Sequence, residues 1–147
     1  MLYIASDYAG FALKQHLVQY IQKQLKTEVK DMGPEKFTPE DDFTDTAFPL
    51  AREVAKNPQN LGILICGSGQ GMCISANKIK GIRAGLAWNI ESAEWAKKAD
   101  NANILCLPSN AVSREHAEAM VNKFLNTKFE ALERRVRRLA KIAAIEK

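Results

Sequence analysis

Apolar and polar positions follow two alternating rhythms along this chain. Leu2–Ser6 is a short apolar run that reads as a strand. Residues 10–25 place Phe11, Leu13, Leu17, Val18 and Ile21 at helical spacing. Residues 28–32 predict a second strand, and residues 33–43, broken by Gly33, Pro34 and Pro39, predict a loop. Residues 44–56 predict a helix, with Asp45 in its first turn and Asn57-Pro58 as its stop. Leu61–Cys66 is uninterruptedly apolar, as a central parallel strand buried on both faces must be. A glycine-bearing loop then opens a helix to about residue 78. The alternation continues as a strand over 82–87, a helix over Ile90–Lys98 and a strand over 103–107. A helix capped by Ser113 runs to about residue 125, and a last one covers 129–145.

Strands alternating with helices imply right-handed βαβ units and a parallel sheet covered by helices. Ligands of such sheets bind beyond the carboxyl ends of the strands. Attention therefore falls on Ser6-Asp7-Tyr8, the loop at 66–71, Trp88-Asn89 and Pro108-Ser109-Asn110.

Composition narrows the class. The 147 residues suit one domain over 1–147, without repeats or low-complexity segments. With 46% apolar and 26% charged residues, a soluble globular protein is expected. No apolar run approaches the roughly 20 residues of a membrane span. The chain enters its first strand without a basic leader, which points to the cytoplasm. The net charge is +4, with Arg134, Arg135, Arg137, Arg138 and Lys141 clustered near the end. Such a cluster suits nucleic acid or the phosphate of a small molecule. Nucleic acid is the weaker reading, since interleaved aromatics and a recognised motif are lacking. Cys66, Cys73 and Cys106 form no CxxC pair and read as free thiols.

The chemistry concentrates in Cys66-Gly67-Ser68-Gly69-Gln70-Gly71. Glycines between a buried strand and a helix let the backbone approach a ligand. Loop amides converging there suit an anion, such as an enediolate oxygen in an oxyanion hole. Cys66 ends the strand beside those amides, so a thiolate near neutral pH is expected. Ser68 can donate to the same oxygen. Spacing alone leaves a plainer alternative open: a buried small hydrophobe beside a tight turn. The loop is not a dinucleotide fingerprint, because GxGxxG would need its third glycine at Met72. Cys73 and Cys106 read as packing residues, and His16 and His116 as surface residues of helices.

Gly62-Ile63-Leu64-Ile65-Cys66-Gly67-Ser68-Gly69-Gln70-Gly71 resembles the signature of the ribose-5-phosphate isomerase B and galactose-6-phosphate isomerase family. Residues 6–14, 41–45, 76–84 and 101–105 resemble the family in the same order, so the likeness spans the chain. The resemblance implies a three-layer α/β/α sandwich with a five-stranded parallel, Rossmann-like sheet. It implies a homodimer, able to pair into tetramers, with a C-terminal helix in the interface and active sites between subunits. It implies aldose–ketose isomerisation of a pentose or hexose phosphate, with no metal or organic cofactor. By the same likeness Cys66 moves the proton between C1 and C2, with Ser68 assisting. The amides of residues 67 to 71, including Gly67, Gly69, Gln70 and Gly71, hold the enediolate, and Asp7 contacts sugar hydroxyls. Arg134 and Arg138, four apart on one helical face, match the family's two C-terminal arginines and would grip phosphate.

Four positions depart from the family. Its Asp-His pair is Asp7-Tyr8 here, and its His-Asn-Asp-x-Asn stretch is Ala99-Asp100-Asn101-Ala102-Asn103. Alanine cannot shuttle a proton, so another group opens the ring, the substrate arrives open, or the activity has drifted; Asp100 is one substitute acid–base, with an exposed carboxylate or cap as the alternative. Asn101 stays a substrate-binding candidate, and Tyr8 can still hydrogen-bond a phosphate. The arginine usual after strand five is Asn110, and the Gly-Gly-Arg-His stretch is 131–135, Ala-Leu-Glu-Arg-Arg. Arg83 fits a structural place at a strand end. A catalytically reduced sugar-phosphate-binding or partner subunit is the second reading, although Cys66 is retained.

Overall fold

The computed structural model describes residues 1–146. Five parallel strands form one sheet in the order β2-β1-β3-β5-β4. They are β1 (Leu2–Ser6), β2 (Val29–Asp31), β3 (Leu61–Cys66), β4 (Ala84–Leu86) and β5 (Ile104–Pro108). Six helices complete the chain: α1 (Phe11–Lys23), α2 (Thr44–Ala55), α3 (Gln70–Ala76), α4 (Ile90–Lys98), α5 (Arg114–Asn126) and α6 (Glu133–Ile145). Among the described residues no helix is long and apolar enough to cross a membrane.

The continuous apolar run of β3 is explained by its central place. Ile63 and Ile65 face a core filled by Leu13, Leu17 and Ile21 of α1, Ala93 of α4, and Met120 and Phe124 of α5. Leu64 and Cys66 face the opposite core, with Leu50 and Val54 of α2 and Met72 of α3. Ile63, Leu64 and Ile65 are fully buried, each contributing about 1.5–3 kcal/mol. The α/β/α sandwich expected from the resemblance is therefore the observed fold.

Element boundaries moved where tertiary contacts compete with local pattern. The strand expected over 82–87 pairs only as Ala84–Leu86, because the Arg83 N–H goes to the Asn103 side chain (2.8 Å). The last helix, expected from residue 129, starts at Glu133. The Glu130 N–H is bonded to the Lys98 carbonyl (3.0 Å) and Leu132 is extended, so 129–132 tethers the chain to the end of α4.

The connection through α1 leaves β1 toward β2, and β3 lies on the other side of β1 with α2 on the opposite face. The sheet's direction of travel reverses between β1 and β3, which opens a crevice beyond their carboxyl ends. Gly10 allows α1 to start against that crevice: a Cβ there would lie 2.5 Å from the Ile65 carbonyl oxygen.

Candidate active site

Cys66 ends β3 and Asp7 follows β1, so both stand at this switch point. The two strands stay joined one step past the ladder by the Asp7 N–H to the Ile65 carbonyl (3.1 Å). The glycine loop then turns sharply. Gly69 caps α3 at φ +75°, and a Cβ there would meet Leu86 Cδ1 at 2.5 Å and the backbone of the last peptide of β5, at Leu107, at 3.1 Å. Glycine alone fits both the dihedral and the space without strain or crowding. The loop is tied to the end of β5 as well: Ser109 N–H donates to the Cys66 carbonyl (2.9 Å) and Asn110 N–H to the Gly67 carbonyl (3.0 Å). The Ser109 hydroxyl reaches the Ala9 carbonyl (3.0 Å), linking three strand ends.

Within this loop the backbone N–H groups of Met72, Gly69 and Gly71 lie close enough to the Cys66 thiol to favour its charged form. Met72 was not among the expected donors. Those amides favour a thiolate, yet burial outweighs them and the neighbouring Asp7 charge acts with burial, so the thiol lies above its ordinary range. The expectation of a resting thiolate near neutral pH is thereby overturned. Met72 and Gly71 belong to a seven-residue helix of about two turns, too short for a strong dipole. Asp7 is pushed above the usual carboxylate range, first by burial and further by the Asp41 charge, while the Gly10 N–H (3.0 Å) pulls the other way.

Ser68 is exposed and its hydroxyl accepts the Gln70 N–H at 3.3 Å, leaving its proton free to donate. Gln70 is also exposed. Tyr8 is 38% accessible, with its N–H on the Asp41 carboxylate (2.9 Å) and its ring edge-on to Phe37. Phe43 lies against Gly71, where a Cβ would come within 2.8 Å of the ring. The Asn110 side-chain amide sits over Gly67, so it borders the loop. Asp41, Phe43 and Ser109 were missed as site residues. The signal for Phe43 was its place in the 41–45 segment; Ser109 had only its strand-end position.

The remaining candidates lie elsewhere. Asp100 and Asn101 form the turn between α4 and β5, at the amino end of the sheet. A strand of five or six residues separates that end from Cys66 by roughly 17–20 Å. Asn101 adopts φ +48°, a conformation asparagine tolerates, and its carbonyl accepts Arg83 Nε (3.0 Å), which is the structural role expected of Arg83. Arg134 and Arg138 are exposed on the first turns of α6, which begins beside Lys98 at this same amino end. Within one chain the expected site residues thus form two clusters, Cys66, Ser68, Asp7, Tyr8 and the loop amides at one end, Asp100, Asn101, Arg134 and Arg138 at the other.

Cys106 is fully buried and Cys73 half-buried; the Cys73 thiol donates to the Ala84 carbonyl (3.3 Å), and the neighbouring thiols influence each other so that Cys73 is lowered to about 7 and Cys106 raised. His16 is half-buried and bonds Glu118 of α5 (2.6 Å), so it braces two helices and is not merely a surface residue. His116 is half-buried too, at the N-terminus of α5.

The family model described as Ribose/Galactose Isomerase matches residues 2–142. The chain is 44% identical over 146 residues to a probable ribose-5-phosphate isomerase B of Mycoplasma pneumoniae, covering 99% of this chain and 95% of that protein. Its structure is similar to that of ribose-5-phosphate isomerase B from Mycoplasma genitalium with bound ribulose-5-phosphate. That likeness has a TM-score of 0.93 and 42% identity, and it covers 99% of this chain and 95% of the other. A ribose 5-phosphate isomerase of Thermotoga maritima is similar at a TM-score of 0.92 and 37% identity, with 98% and 97% covered. The chain belongs to the ribose/galactose isomerase family.

Proposed function

We propose that this member of the ribose/galactose isomerase family interconverts an aldose and a ketose pentose phosphate, of the ribose 5-phosphate and ribulose 5-phosphate type. The observation that carries this reading is a cysteine at the switch point, opening a glycine loop that is fixed by Gly69 at φ +75° and tied by hydrogen bonds to the end of β5. The ribulose-5-phosphate in the Mycoplasma genitalium relative supports the substrate class.

Cys66, once deprotonated, removes the proton at C2 of the open aldose. Its raised pKa makes it a stronger base than an ordinary thiolate, which suits a weakly acidic C–H. The electrons move into the carbonyl and give a cis-enediolate. The amides of Gly69, Gly71 and Met72 and the Ser68 hydroxyl stabilise its negative oxygen. The same cysteine returns the proton to C1 while the O2 hydroxyl proton passes to O1, leaving the C2 carbonyl of the ketose; Asp7 holds sugar hydroxyls and Tyr8 adds a neutral hydrogen bond. Every one of these groups belongs to the carboxyl end of the sheet.

The phosphate grip and the ring-opening group belong to the amino end, and they reach a Cys66 site only from a second copy. In a two-fold dimer each copy gives its amino-end cluster to the other, making two equivalent composite sites. A groove of about 730 Å³ between α6, α4 and β4 supports this assembly. Its walls include exposed Trp88, Trp95, Ile142 and Ile145, and the short edge strand β4 borders it. Apolar surface of this kind on a chain of this size fits an interface. Asp100 of the second copy is then the substitute for the absent ring-opening histidine.

The test is a coupled assay with ribose 5-phosphate in deuterated water. Formation of ribulose 5-phosphate with deuterium entering at C1 is the expected result. Tight binding of the sugar phosphate without turnover would instead establish the catalytically reduced subunit.

A further inference from the structure

Beside the backbone tether from Glu130 to Lys98, one side chain of α6 itself ties the start of the helix to the rest of the chain. Among the described residues of that helix only Arg135 is buried, at 8% accessible. Its Nη1 donates to the Lys98 carbonyl (3.3 Å), the Glu130 carbonyl (3.3 Å) and the Glu130 carboxylate (2.6 Å). The guanidinium lies over Trp95, 5.7 Å from the ring centroid, and the Lys98 ammonium lies 5.5 Å from the same ring. Lys98 is the last residue of α4, so its carbonyl is one of the acceptors a helix leaves open. A cation there also meets the negative end of α4. At the far end of α6, one exposed link is present among the described residues, the Gly81 N–H to the Glu146 carboxylate (3.1 Å).

The clamp fixes orientation as well as attachment. Each residue steps about 100° around a helix axis. With Arg135 turned toward α4, Arg134 and Arg138 project about 100° and 60° to the same side of it. A roll of about 30° would carry a side-chain tip at about 6 Å radius through about 3 Å. A bidentate arginine–phosphate contact does not survive such a displacement.

We propose that Arg135 is a positioning residue which, by clamping α6 onto the end of α4, sets the roll that aims Arg134 and Arg138 at the sugar phosphate. The proposal rests on the isomerase reading, in which those two arginines grip phosphate. Its hydrogen bond to Arg135 holds the Glu130 carboxyl below the usual range, so the pair persists into mildly acidic solution.

The experiment compares Arg135→Gln, Arg135→Lys and Glu130→Gln with Arg138→Ala in steady-state isomerase kinetics, with inorganic phosphate as competitive inhibitor. Arg135→Gln is expected to raise KM and the phosphate inhibition constant together by about tenfold, with kcat within about threefold. Arg135→Lys should recover part of the loss, and Glu130→Gln should show a smaller rise. Simple destabilisation would lower kcat through the active fraction and leave KM and the inhibition constant in place. If Arg138→Ala raises both constants and Arg135→Gln raises neither, the proposal is overturned and the isomerase reading stands. If Arg138→Ala changes nothing either, the phosphate assignment fails and takes this proposal with it. Should Arg135→Gln not fold, unchanged constants in both Arg135→Lys and Glu130→Gln overturn the proposal equally.

Discussion

The two ends of the sheet are built in different ways. At the carboxyl end, β1, β3 and β5 are cross-linked by backbone hydrogen bonds through Asp7, Ser109 and Asn110, and Gly69 sits in a space that admits no side chain. The cysteine and its amides are held there by one chain alone. At the amino end, Arg134 and Arg138 stand exposed on a helix whose one buried residue, among those described, is Arg135. Its apolar side faces an open groove. Proton transfer needs reacting atoms placed to within a fraction of an ångström, and a rigid intrachain scaffold supplies that. A phosphate grip can be borrowed from a second copy, at the expense of making activity depend on assembly.

The largest effect should come from separating the two ends genetically. Cys66→Ala is expected to lower kcat by about 10³-fold or more while leaving the fold intact. Arg138→Ala acts on KM. Mixing and reassociating the two defective proteins should restore about a quarter of the wild-type sites, measured at low substrate, because half the dimers are mixed and each has one unaltered site. No recovery, with mixed dimers verified, would place both clusters' work in one chain and break the comparison.

Next in size is Gly69→Ala. Left-handed strain and crowding against Leu86 predict a loss of about 2–4 kcal/mol in stability, read by denaturant unfolding. A displaced amide should cost about 10²-fold in kcat on top of that. An unchanged rate would show that the loop amides do not serve the reaction.

A smaller effect is expected from pH. With Cys66 raised by burial and by Asp7, kcat/KM should climb through the neutral range and level off only in alkaline solution. A plateau already reached at pH 7 would mean that another group is the base, or that substrate lowers the thiol's pKa.

The smallest concerns stability. Asp7 has a folded-state pKa above its unfolded value, so its contribution is full below the unfolded pKa and declines as pH rises through the folded one. Asp7→Asn should therefore match or exceed the wild type in thermal midpoint at pH 7, by a few degrees at most. The difference should fade toward pH 4. A midpoint falling at pH 7 would show that the Gly10 N–H contact outweighs the burial of charge.

Much of the fold was legible because local pattern and burial agree. Leu61–Cys66 had to be central, and Leu2–Ser6, Leu61–Cys66 and Ile90–Lys98 were read with the boundaries observed. Boundaries failed where a distant partner took a backbone group, as Lys98 did with Glu130 and Asn103 with Arg83. The site was half legible. Glycine spacing and family likeness located the loop, but not the balance that keeps Cys66 protonated, since burial and the Asp7 charge arise only when β1 and β3 meet.

By itself the sequence determined the alternation of strands and helices, the place of the cysteine at a strand end and the basic face of the last helix, because these follow from period and residue type along a local stretch. The tertiary structure alone decided which ends of the sheet those residues occupy. It set the thiol above its ordinary range and turned Arg135 inward to clamp α6. Each of these depends on what lies across the sheet or the helix pair, and such neighbours are remote in the chain.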